Sequence, residues 1–334
     1  MIARIRKFIV KELFVIVVFI VSVGTGTAKT RNNAEATPSL SDDALETINL
    51  LDAIEYNDAE TVKSLIAKGV DVNERGEDNY TPLMVAAFCN SVDVAKLLLD
   101  AGADIEAKCK DGATALMAAV AYNSIDVAGL LIDSGADIEA KTIYDETSLM
   151  WAALYNFTDL AKILLDAGAN LDAKNDEGAT ALMATAENDS VDVARILIEA
   201  GADLDARTNN GKTALMYAVY MGSANVAMCL IEAGADINAK LNDGKTALIV
   251  SAQRDEVDIA KLLIEAGVDI EAMDSLGTAL MYAISKNHID MVKILLDAGA
   301  KPDAMTDDGT TAFTLAEEIN SEEIMKLLHR SSSR

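Results

Sequence analysis

The chain has 334 residues, 51% of them hydrophobic and only 4% aromatic, with three prolines and a formal net charge of −26. So acidic a surface excludes nucleic acid, whose binding depends on neutralising phosphates, and favours a neutral or basic protein partner, which the field would steer in. Three cysteines, Cys89, Cys109 and Cys229, cannot make a disulfide framework without leaving a thiol over.

At the N-terminus, Arg4, Arg6, Lys7 and Lys11 precede an unbroken apolar run from Leu13 to Val21, and small residues follow at Gly24, Gly26 and Ala28. A basic start, a short apolar stretch and a small-residue exit are the parts of a secretory signal. Residues 1–28 are therefore expected to direct export, to the periplasm or out of the cell, with cleavage after Gly26-Thr27-Ala28. The run falls short of the ~20 apolar residues a spanning helix needs; contact with a membrane is expected only if it stays uncleaved as an anchor. Residues 29–43 are polar, with Asn32, Asn33 and Pro38, and read as a flexible linker.

From residue 44 a different grammar begins. Residues 44–56 and 59–68 read as a first pair of helices, with Asn57 between them and Gly69 after. Gly69, Gly102, Gly135, Gly168, Gly201, Gly234 and Gly267 then recur every 33 residues, and Gly299 follows 32 later. Thr81, Thr114, Thr147, Thr180, Thr213, Thr246, Thr278 and Thr311 keep the same beat. A fixed period in this range identifies a stack of small supersecondary units rather than one globular core.

In one unit, Thr114 suits a helix N-cap, and Leu116, Ala119 and Val120 make one apolar face at i, i+3, i+4. Asn123 tolerates the left-handed conformation that ends a helix. Ser124 reads as the N-cap of a second helix, with Asp126 in its first turn, where the helix dipole favours an anion. Val127, Leu130 and Leu131 face the neighbours, and Gly135 supplies the left-handed stop. The following Gly-Ala-Asp-Ile-Glu-Ala-Lys and Asp-Gly pattern reads as a hairpin-like loop. The last unit, from Thr311 to His329, carries a more polar second helix with Glu322, Glu323 and Lys326, suited to closing the stack. About nine helix pairs result, over residues 44–330, with residues 331–334 a polar tail.

Helix, turn, helix and hairpin-like loop in 33 residues resemble the ankyrin repeat, with Thr81-Pro82-Leu83-Met84-Val85-Ala86 standing where that family has Thr-Pro-Leu-His-x-Ala. The other copies read Thr-Ala-Leu-Met at 114, 180, 213 and 278, Thr-Ser-Leu-Met at 147 and Thr-Ala-Leu-Ile at 246. The resemblance implies an all-α ankyrin-repeat solenoid. In the family the histidine links repeats through hydrogen bonds; Met in its place implies apolar packing there instead.

Chemistry is sparse. His288 falls at an inter-helix turn and His329 near the C-terminus, neither with a placed partner for a nucleophile–base pair. Gly-Lys-Thr at 211–213 and 244–246 lacks the rest of a phosphate loop. Acidic stretches such as Asn175-Asp176-Glu177 and Thr306-Asp307-Asp308 lack the spacing of a calcium loop. No catalytic residue, metal or cofactor is expected. Asn79, Asn156 and Asn188 head glycosylation sequons, which matter only in a eukaryotic secretory route.

In the family the binding face is concave, made by loop tips and exposed positions of the first helices. Counted from each Thr, offsets +4, +7 and +8 are expected there, and they hold Phe88, Tyr122, Trp151, Leu154, Tyr155, Tyr217, Tyr220, Met221 and Tyr282. Aromatics and Met are enriched in interface cores and hot spots; the competing reading is that these rings fill gaps between repeats. Loop-tip acids Glu74, Glu77, Asp111, Asp145, Glu146, Asp176 and Glu177 would steer a partner. The expected function is non-catalytic protein binding centred on Trp151, Tyr122 and Tyr155. The alternatives are an acidic inhibitor or immunity-type protein against a basic exported enzyme or toxin, and a structural scaffold that stacks end to end.

Overall fold

A computed structural model describes residues 49–331. The expected signal, the linker, residues 44–48 and the last three residues lie outside this range; the first helix, expected from residue 44, starts at Leu50, because the Asn49 side chain caps it there by accepting from Asp52 N–H. Within it the chain folds as nine helix pairs. The first helices are α1 (Leu50–Glu55), α3 (Pro82–Phe88), α5 (Ala115–Ala121), α7 (Ser148–Leu154), α9 (Ala181–Thr185), α11 (Ala214–Met221), α13 (Ala247–Arg254), α15 (Ala279–Ser285) and α17 (Ala312–Glu318). Their partners are α2 (Ala59–Ala67), α4 (Val92–Asp100), α6 (Ile125–Asp133), α8 (Thr158–Asp166), α10 (Val191–Glu199), α12 (Ala224–Glu232), α14 (Val257–Glu265), α16 (Ile289–Asp297) and α18 (Glu322–Ser331). First helices pack on first helices and second on second, so two rows share one continuous apolar core. The residue read as the start of a polar tail, Ser331, belongs to α18.

Thr sets each start as expected. Seven of the eight repeat threonines accept the N–H three residues on, as Thr114 does from Met117. Thr180 occupies the cap without that bond, and its helix α9 is the shortest of the nine first helices after the caps are set aside. There Thr185 Oγ1 donates to the Leu182 carbonyl at 2.7 Å, a local bond that competes with the helical ladder. Asn90, Asn123, Asn156, Asp189, Asp255, Asn287 and Asn320 all take left-handed conformations between the paired helices.

Second-helix starts differ from the expectation. Ser124 holds the cap position but makes no side-chain cap bond. The cap comes instead from the preceding pair: Asn90 Oδ1 accepts from Val127 N–H at 3.3 Å, Asn156 Oδ1 from Val193 N–H at 3.0 Å, and Asp189 Oδ1 from Val226 N–H at 2.9 Å. The turn residue thus does two tasks, reversing its own chain and satisfying an orphan donor one repeat away. Asn156 and Asn188 both use their side-chain amides in such cross-repeat bonds.

The methionines at the histidine position are buried as expected: Met84, Met117, Met150, Met183, Met216 and Met281. Polar linkage between repeats is relocated to the loops rather than lost. Asn73, Glu106, Glu139, Asp172, Asp205, Asn238 and Glu271 each accept a backbone N–H from the next repeat, at 2.7 to 3.0 Å. Five acids, Glu106, Glu139, Asp172, Asp205 and Glu271, are therefore framework. The loops stand as fingers in front of the first helices. Where the period shortens to 32, the finger tightens to a two-residue turn at Ser275-Leu276, and β1 (Met273–Asp274) pairs with β2 (Gly277–Thr278).

Candidate partner-binding face

Fingers and first helices together present the face on which the candidate residues were expected, and its register decides which of them reach the surface. Offset +4 does not. Trp151 is 2% exposed, and Tyr217 and Tyr282 are 8% exposed each. Helical side chains lean back toward the N-terminus, so a ring at +4 lies beneath the base of its own finger. Trp151 Nε1 donates to Glu146 Oε2 at 3.1 Å. Tyr282 Oη donates to Asp274 Oδ2 at 2.7 Å, and Lys212 Nζ lies 5.4 Å from the Tyr217 ring. These three rings prop fingers, so the expectation that Trp151 centres an exposed cluster is corrected. Leu154, at +7, is also core, 1% exposed. Of the expected steering acids, Glu146 is 3% exposed, so it is a finger-base acid under Trp151 and not a loop-tip charge.

The remaining positions do form a surface. Phe88, Tyr122, Tyr155 and Tyr220 are half-buried, and Met221 is 45% exposed. Phe88 lies at the centre of a run of rings, 5.3 Å from Tyr80 and 4.7 Å from Tyr122 between centroids. Tyr155 stacks on Phe157 at 5.5 Å. Further along, Lys212 and Arg254 lie over the Tyr220 ring at 4.4 and 5.8 Å, a cation–π arrangement. Glu74, Glu77, Asp145, Asp176 and Glu177 are exposed and Asp111 is half-buried.

Sequence reasoning passed over Tyr80, Glu146 in its true role, Lys212 and Lys245. All four occupy the position just before the repeat Thr, where Ala113 and Ala179 also stand. Variation at that single position, against monotonous neighbours, was the signal available.

A family model described as ankyrin repeats matches this chain in three copies, over residues 50–142, 149–241 and 230–306. The chain belongs to the ankyrin-repeat family. A crystal structure of the human ASB11 ankyrin repeat domain is similar to it, with 25% identity and a TM-score of 0.60, covering 66% of this chain and 97% of that one. A search of curated proteins found no match. Ankyrin repeats are in general protein–protein interaction modules and in general non-catalytic.

The electrostatics of this ankyrin face are uneven. Burial pushes the Glu146 carboxyl up, the Trp151 hydrogen bond opposes this, and Asp176 and Glu187 push it further up. Burial likewise raises the Tyr217 phenol to about 12, with Glu177 and Glu187 adding to the rise. Four carboxylates thus converge at the fourth and fifth pairs. His288 Nδ1 lies 3.0 Å from the Ala252 carbonyl, a cross-repeat cap bond. Among the described residues no group of three His, Cys, Asp or Glu is disposed to hold a metal ion, and no helix is long and apolar enough to cross a membrane.

Proposed function

We propose that this protein is an exported, non-catalytic binding module that holds a neutral or basic protein on the face made by its first helices and fingers. The observation that carries this reading is the aromatic run on that face, in which Tyr80, Phe88 and Tyr122 touch across two successive repeats. Rings only half-buried, in a chain with few aromatics, leave apolar area that a partner would cover. Exposed acids at the finger tips, Glu77, Asp145, Asp176 and Glu177, supply steering for a cationic partner.

The anchors in this reading are Phe88, Tyr122, Tyr155, Tyr220 and Met221. The test is capture from the exported fraction with the chain beginning at Lys29, beside the same chain carrying Phe88→Ala and Tyr122→Ala. A protein retained by the first and lost about thirtyfold with the second, a hot-spot-sized effect, supports the reading. Equal retention by both refutes it.

A further inference from the structure

One point on the binding face reverses the sign of its surroundings. Tyr220, half-buried near the end of α11, lies between cations from two successive repeats. Lys212 Nζ is 4.4 Å from its ring centroid and Arg254 Cζ 5.8 Å. Lys212 Nζ is also 5.4 Å from the Tyr217 ring.

In a chain of net charge −26, a nearby acid would ordinarily neutralise such an ammonium, yet the local acids are engaged elsewhere. Asp243 Oδ2 accepts from Lys245 Nζ at 2.7 Å, and the Tyr217 hydroxyl donates to Glu177. Glu256 comes no closer than 4.0 Å to Arg254 Nε. Among the described residues no carboxylate pairs with Lys212.

The finger nevertheless holds Lys212 in a set place. Its N–H donates to Thr208 Oγ1 at 3.0 Å, and its carbonyl accepts from Thr208 N–H at 3.0 Å. The rings beside the ammonium offset part of its lost hydration without cancelling its charge. A half-buried ammonium with its charge uncancelled, beside a guanidinium and the exposed Met221, is disposed to receive an anion that the chain does not itself supply.

We propose that Lys212, Tyr220 and Arg254 form a subsite for one acidic side chain of the bound partner. Its carboxylate seats between ammonium and guanidinium, and its aliphatic stem lies on Tyr220 and Met221. The inference rests on the reading above and deepens it: the partner, neutral or basic overall, carries one acid that fixes its direction along the stack. From Phe88 in the second pair to Tyr220 in the sixth is four steps of 8–10 Å, or roughly 32–40 Å, so this acid orients the partner without competing with the apolar anchors. The acidity of the remaining surface sharpens the choice. Screening confines each charge to about 8 Å at physiological ionic strength, so binding at Lys212 follows the local cations. The approach of a polyanion is opposed by the whole surface. An acid therefore arrives best among basic neighbours.

The probes are two end-blocked peptides, Lys-Lys-Ala-Glu-Ala-Lys-Lys and the same sequence with Gln in place of Glu. Each is titrated into the full chain, isotope-labelled at the methionine methyls, and Met221, assigned through Met221→Leu, reports the subsite by nuclear magnetic resonance. The Glu peptide is expected to bind about fivefold tighter than the Gln peptide. Lys212→Ala is expected to abolish that preference and Lys212→Arg to keep it. Lys96→Ala, which removes an exposed cation from the second-helix row, should leave it unchanged; circular dichroism melting confirms that each variant is folded. Equal affinities, no shift of Met221 with either peptide, or a preference that survives Lys212→Ala overturns the inference. Partner capture reads out separately: if it still depends on Phe88 and Tyr122 while Met221 shows no Glu preference, the subsite fails and the binding face stands.

Discussion

Trp151→Ala is the most informative single perturbation. The indole is buried, so truncation removes apolar contact and leaves a hole between the third and fifth pairs. An aromatic side chain of 150–250 Å² at 25 cal/mol per Å² gives about 4–6 kcal/mol as an upper bound. Measured truncations of this type cost about 3–5 kcal/mol. The substitution also strips Glu146 of the indole N–H that its carboxylate accepts. In a stack held by nearest-neighbour contacts, a loss of this size at the fourth of nine pairs is expected to uncouple the halves. Urea unfolding followed by far-UV circular dichroism should then show a lower first midpoint and two transitions. Trp151→Phe, which keeps most of the volume and loses the hydrogen bond, should cost about 1–3 kcal/mol. A Trp151→Ala unfolding curve that overlays the parent would refute the burial argument and restore Trp151 as a surface anchor.

Glu146→Gln should stabilise the protein at neutral pH, because burial raises the carboxyl in the folded state above the ordinary glutamate value of 4.5. The folded state then holds the proton more tightly than the unfolded one, so parent stability falls as pH rises from 4.5 through the folded value; the Gln variant should lack that slope, and a parallel pH profile of melting temperature would contradict it. Gly112→Ala and Gly168→Ala both force a positive φ on a side chain, costing about 1–2 kcal/mol, but only at Gly112 does a Cβ meet the next finger, 2.8 Å from Ile143 N. Gly112→Ala should therefore lower the urea midpoint further, and equal midpoints would show that the fingers yield freely. Asn156→Ala should cost about 2–3 kcal/mol, roughly 1 from uncapping α10 in the next pair and the rest from forcing Ala into the left-handed conformation that Asn156 holds; hydrogen exchange at Val193 reports the first part, and unchanged protection there would remove the cross-repeat cap.

The positions of Phe88, Trp151 and Glu146 show how far the face was legible. Counting from Thr located the first helices correctly, and it placed Phe88, Tyr122, Tyr155, Tyr220 and Met221 where they remain accessible. It misplaced offset +4, because periodicity says which residues share a face of one helix and nothing about the finger that covers that face. Trp151 has the composition of a hot spot and the location of a prop. Glu146 was read as a steering charge from its place at the end of a finger, yet that place is under the indole.

What the sequence determined by itself was the unit and its repetition. Gly and Asn in left-handed positions, Thr at helix starts and apolar residues at helical spacing are local requirements, written within each 33 residues. What only the tertiary structure decided lies between the units. The carboxylates of Glu106, Glu139, Asp172 and Asp205 bond to a neighbour's backbone, and Asn90 caps a helix one repeat away. Such contacts depend on the rise and rotation from one pair to the next, which emerge only when the pairs pack. The same stacking decides which rings are covered and which remain for a partner.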